Sequence, residues 1–163
     1  LNLAFAGLAS VVLYQFEHIL DEIVILAVTK NIVASNSGNT AIQSLTVVTR
    51  GIATNDFQFI SYIKAFVKEF AVGCIMGLVM GTLSGICLYL FLGDAHYGLV
   101  VGVIMMISMV LTSIVGSCAG AGVPYLLNKM NRDPAVGSGV LVTVLTDMFG
   151  FFSFLGLATL ALN

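Results

Sequence analysis

From Phe70 to Gly93, and again from Tyr97 to Asn128, the chain carries no Asp, Glu, Lys or Arg. Runs of that length decide the solvent. A helix needs about 20 apolar residues to cross a hydrocarbon core about 30 Å thick, whereas a helix at the surface of a soluble protein returns to polar residues along its wet face. Composition agrees: 59% of the residues are hydrophobic, only 9% are charged, and mean hydropathy is +1.07. A soluble domain carries about 25% charged residues. Membrane strands would need short alternating segments closed into a barrel. The expected class is therefore an all-α integral membrane protein.

Cutting the chain at its charged and Gly/Pro-marked breaks gives five spans, roughly 1–16, 22–49, 64–92, 97–127 and 134–162, in one transmembrane domain covering 1–163. The first begins inside an apolar segment without a Met or a charged leader, so a removable signal peptide fits badly. It reads as a piece cut from a longer polypeptide. Of the six Lys and Arg residues, all but Lys30 fall in the links after spans two and four, as Arg50, Lys64, Lys68, Lys129 and Arg132. The links after spans one and three hold Glu17, His18, Asp21, Glu22, Asp94 and His96 instead. Basic residues mark the cytoplasmic side. The expected orientation in the plasma (inner) membrane is amino end inside and carboxyl end outside.

A net charge of −2 without a basic tract gives no footprint for nucleic acid. Cys74, Cys87 and Cys118 lie inside apolar runs without ligand spacing and read as small packing residues. Gly73, Gly77, Gly81 and Gly85 recur every fourth residue, with Gly98/Gly102 and Gly116/Gly120 following. Such bare stripes let membrane helices approach closely. Two helix starts are expected on the inner side, one capped by Thr54, Asn55 or Asp56 and one at Pro134 capped by Asp133.

The last span holds one acid, Asp147, about 20 Å of helix beyond Pro134 and so near mid-membrane. A carboxylate there costs roughly 2.5 to 3.5 kcal/mol on insertion scales, which favours a cavity or a partner over lipid. Lys30 is the only base within a span, so a structural ion pair is one alternative; it can also snorkel to the outer surface. Gly139, Thr143, Asp147 and Gly150 fall on one helix face, a narrow polar strip of small residues. In span two, Asn31, Asn36, Asn39 and Gln43, with Gly38 breaking the pattern and Thr46 and Arg50 continuing it, form a strip too polar for hydrocarbon. Interhelical hydrogen bonding is one use of such residues. A distorted helix exposing carbonyls to a wet cavity is the other. Glu17, Asp21 and Glu22 could gather cations at an outer mouth or simply be solvated helix ends. Glu69 reads as an ordinary acid near a helix amino end. No second catalytic acid and no Ser/His pair stands at matched depth, so the chain is not expected to be an enzyme.

The stretches "SGNTAIQS" (37–44) with "TRGIAT" (49–54), and "DPAVGSGVLVTVLTDMFG" (133–150), resemble the membrane domain of the MgtE magnesium channels, as does the pair Phe16 and Glu17. The resemblance runs over essentially the whole chain. It implies a homodimer of five-helix subunits with a central pore lined by helices two and five, and Asp147 as the principal Mg²⁺ site. It also sets Asn39 on the pore-lining asparagine, with Gly38 and Gln43 as its neighbours. Asn31 and Ser37 replace a proline and a glycine of that pattern, and Gly139 and Val140 replace a polar residue and a proline near the inner mouth. The metal set expected here is thus Asp147, Asn39, Gly38, Thr143 and Gln43, serving Mg²⁺ as a transported ion rather than a cofactor. Passage of Mn²⁺ or Co²⁺ stays open at this point. So does a proton- or sodium-coupled exchanger, since a lone membrane carboxylate can also relay protons.

Overall fold

The computed structural model describes residues 2–54, 59–93, 97–135 and 137–162. Described residues outside turns are helical, in the order α1 (Asn2–Tyr14), α2 (Glu17–Glu22), α3 (Val24–Ala53), α4 (Phe59–Leu92), α5 (Tyr97–Lys129) and α6 (Ser138–Leu162). Five of them follow the five expected spans; α2 is an additional single turn and a half at the corner between α1 and α3. Three helices are long and apolar enough by themselves to cross a bilayer: α4 from Tyr62, α5 from Gly98, and α6. The other two fall short for different reasons. With 13 residues α1 reaches only about 20 Å, and α3, although 30 residues long, is diluted by its amides and hydroxyls.

Three local expectations are corrected. Gly38 does not break α3, which runs unbroken from Val24 to Ala53; the backbone carbonyls there stay in the helix. Thr54 closes α3 instead of opening the next helix, its N–H bonding the carbonyl of Arg50 at 3.0 Å; Asn55 and Asp56 lie outside the described residues, as do Asp94 and His96. The last helix begins at Ser138, four residues beyond Pro134. Asp133 accepts the Ala135 N–H at 2.9 Å in a turn ahead of it, and Gly137 takes the positive φ of 83° that leads into the helix.

The glycine stripe of α4 lies flat on α5. A Cβ on Gly77 would stand 2.7 Å from the Cα of Val110, and one on Gly85 would stand 2.7 Å from the Gly102 carbonyl oxygen. Partner numbers fall as stripe numbers rise, so the two helices are antiparallel. On its other side α5 meets α3, where Gly116 presses on the Ser37 carbonyl and Gly120 on that of Ala41. The middle position thus belongs to α5, packed on α4, α3 and α6, while α3 and α4 touch little. The apolar core gathers Leu26, Val33, Met105, Met109, Phe154 and Leu155 toward the end of the bundle where α1 and α2 pack. There Phe16 meets Phe152 edge to face at 6.1 Å and ties the α1–α2 corner to α6.

Candidate cation site

Helices α3 and α6 form an antiparallel seam whose register can be read from three contacts. A Cβ on Gly150 would lie 3.2 Å from the Cα of Ala34, one on Gly38 would lie 3.9 Å from Thr146 Oγ1, and one on Gly139 would lie 4.0 Å from a Leu45 methyl. Small residues at these crossings bring the helices together. Asn39 and Asp147 are each the residue following one member of the Gly38–Thr146 contact, so both stand beside the middle of the seam.

The polar strip of α3 divides between two faces, and so do the two uses foreseen for it. Asn36 Nδ2 donates to Ser113 Oγ at 3.0 Å, and Ser37 Oγ donates to the Thr112 carbonyl at 2.7 Å. Those residues glue α3 to α5. Asn39, Gln43, Thr46 and Arg50 lie on the adjoining, exposed face. Neither Asn39 nor Gln43 has a hydrogen bond among the described residues, leaving both amides free to serve as ligands.

On α6, Thr146 is buried and donates to the Thr143 carbonyl at 2.9 Å, and Thr143, exposed, donates to the Gly139 carbonyl at 2.9 Å. These back-bonds keep the hydroxyl hydrogens on the helix and leave the exposed Thr143 oxygen with lone pairs free to accept. Asp147 is half-buried in the next position. Among the described residues nothing donates to its carboxylate and no charge neutralises it. The foreseen alternative of an ion pair with Lys30 is not what the structure contains. Lys30 donates to Asn31 Oδ1 at 3.1 Å and sits 5.3 Å from the Phe151 ring centroid, a cation–π position one turn beyond Asp147.

Asp147, Thr143, Gly38, Asn39 and Gln43 thus border one seam, with oxygen atoms as the donor set. That set suits a hard cation; Mg²⁺ takes oxygen ligands and keeps several waters. No three His, Cys, Asp or Glu side chains converge among the described residues, and Asp147 is the one Asp or Glu in α3 and α6, so the seam of a single chain offers one carboxylate. The sequence reading missed Glu69, which is not an ordinary acid at a helix end. It lies well inside α4, 5% exposed, and accepts the Ser44 hydroxyl at 2.6 Å. The signal was available: Glu69 is one helical step ahead of Gly73 and so shares the face of the glycine stripe.

Comparison with known proteins adds a family to this geometry. The MgtE profile, described as a divalent cation transporter, matches residues 31–157, which include most of both helices of the seam. The chain belongs to the MgtE family. Among MgtE relatives, a Bacillus subtilis protein named a magnesium transporter is 34% identical over 158 residues, covering 96% of this chain and 34% of its own. One from Thermus thermophilus bearing the same name is 35% identical over 156 residues, 94% of this chain and 33% of its own. A third, from Enterococcus faecalis and likewise named, is 28% identical over 161 residues. This chain therefore spans about a third of the length of the curated MgtE relatives it matches. MgtE proteins are membrane transporters and not enzymes, in keeping with the apolar helices described above.

Proposed function

We propose that two copies of this chain form a Mg²⁺-conducting pore through the plasma (inner) membrane, lined by α3 and α6, with Asp147 as its cation site. The observation that carries the reading is the Asp147 carboxylate, half-buried among apolar helices with no donor or counter-charge among the described residues. A charge in such a place needs water, an ion or a partner. One acid per chain becomes two across a two-fold axis, which balances one divalent ion. The exposed amides of Asn39 and Gln43 and the Thr143 hydroxyl supply neutral oxygens beside it, and retained water completes an octahedron at about 2.0 to 2.1 Å. The relatives' printed name supplies the ion.

In this assembly α3 crosses the membrane despite its amides because its polar face lines the pore, and α1 crosses with α2 at its outer end, giving five crossings per subunit. The amino end lies in the cytoplasm and the carboxyl end outside, with the inner bases on the cytoplasmic surface. An inside-negative potential supplies about 2.3 kcal/mol per charge per 100 mV, doubled for a divalent ion, so no second substrate is needed. Mn²⁺ and Co²⁺, similar hard-to-borderline divalents, use the same oxygens.

Uptake of Mg²⁺ into proteoliposomes under an imposed potential tests this reading. Asp147→Asn is expected to lower flux by at least about 100-fold, since a unit charge at about 4 Å and an effective dielectric of 20 is worth about 4 kcal/mol. Unchanged flux in Asp147→Asn removes Asp147 from the path. Uptake that requires a pH or Na⁺ gradient in place of the potential identifies a coupled exchanger.

A further inference from the structure

Glu69 is the one acid of α4 and is almost completely buried, yet the pore reading gives it no part. Were its place only a packing position, an apolar side chain would fill it without the cost of dehydrating a carboxyl group. Its contact is specific. Ser44, itself fully buried on α3, donates to Glu69 Oε2 at 2.6 Å, within the short range typical of a hydroxyl bonding a carboxylate.

The rotation of α3 is held unevenly along its length. Its middle is pinned to α5 twice, through Asn36 to Ser113 and Ser37 to the Thr112 carbonyl. From Ala41 to the end at Ala53, the Ser44–Glu69 bond is the only interhelical hydrogen bond that α3 makes among the described residues. The neighbouring contact, Gly120 against the Ala41 backbone and the Ser44 Cβ, is close packing without a hydrogen bond. Ser44 is the residue after Gln43 and five beyond Asn39, so at about 100° per residue it stands about 100° and 140° round the helix from those exposed amides. Turning α3 by about 20° would move an amide at the outer helix radius of about 5 to 6 Å by about 2 Å. That shift equals a whole Mg–O bond.

We propose that Glu69 is a positioning residue for the cation path: by accepting the Ser44 hydroxyl it fixes the rotation of the inner half of α3 and so aims Asn39 and Gln43. This inference rests on α3 lining the pore. Its test reads orientation directly. In protein with Cys74, Cys87 and Cys118 replaced by alanine, Asn39→Cys and Gln43→Cys are each labelled from the water side with a charged methanethiosulfonate reagent, alone and combined with Glu69→Leu or Glu69→Gln. Glu69→Leu removes the acceptor and is expected to change the labelling rate of at least one cysteine by about tenfold, the scale of one buried hydrogen bond. Glu69→Gln keeps an oxygen that accepts from Ser44 and is expected to stay within about threefold of the parent. If Glu69→Leu does not yield folded protein, Ser44→Ala, which deletes only the donor, takes its place with the same expectation. Unchanged labelling at both positions in a folded variant overturns the inference while leaving the pore reading intact. If neither cysteine reacts even with Glu69 present, α3 does not border water, and the pore reading falls first and takes this inference with it.

Discussion

The α4–α5 pair and the α3–α6 pair are both antiparallel helix pairs brought close by small residues, yet they differ in what is left over. Between α4 and α5 the glycines of one helix meet the backbone of the other over four turns, and what faces outward is Ile75, Leu78, Val79, Leu83 and Ile86, side chains suited to lipid. Along α3–α6 the glycine contacts are sparse, and beside them stand an unpaired carboxylate, two free amides and an outward hydroxyl oxygen. The first pair is complete within one chain. On the pore reading proposed above, the second is completed by an ion, water and another copy, which would be the physical difference between a scaffold and a path.

That contrast can be broken in order of size. The largest effect is expected from Asp147→Asn: flux falls by at least about 100-fold while the thermal midpoint in detergent stays where it was, because no intramolecular partner of the carboxylate is lost. Gly77→Leu should do the reverse. Its new side chain meets Val110 at the backbone, and overpacking of this kind costs about 1 to 3 kcal/mol or more, so a lowered melting midpoint and reduced yield of folded protein are expected. Asn39→Ala removes one neutral oxygen of the proposed site and should lower Mg²⁺ flux by about tenfold, again without a change in melting. The smallest effect belongs to Gly122→Ala on α5, where a Cβ meets nothing within 4 Å; a small gain of about 0.5 to 1 kcal/mol in helix stability is expected, with flux unaltered. A result in which scaffold variants alter selectivity, or seam variants alter melting, would dissolve the distinction between the two pairs.

Much of the fold was legible because the rules of the bilayer are strict. Long apolar runs placed α4, α5 and α6 to within a few residues, and the four-residue glycine spacing foretold which face of α4 would lie against a neighbour. Helix ends were less legible: the start of α6 was set four residues early because Asp133 and Pro134 carry a start signal that the chain spends on a preceding turn. The site was half legible. Asp147 stood out as a lone acid in an apolar run, but the amides of α3 could not be sorted by composition, since Asn36 and Asn39 are three residues apart on neighbouring faces and only packing shows which one meets α5. Gly38 misled as a helix breaker because its value here is room for Thr146, not backbone freedom. Glu69 was passed over through its nearness to the basic link, although its register with Gly73 already set it on the buried face.

The most direct test is to soak or co-crystallise the assembled protein with Mn²⁺ and record its anomalous scattering. The account predicts a peak on the axis between two Asp147 carboxylates, with Asn39 or Gln43 oxygens within direct or one-water reach. Peaks confined to the outer or inner surface, with Asp147 turned to lipid or closed against another helix, would contradict it.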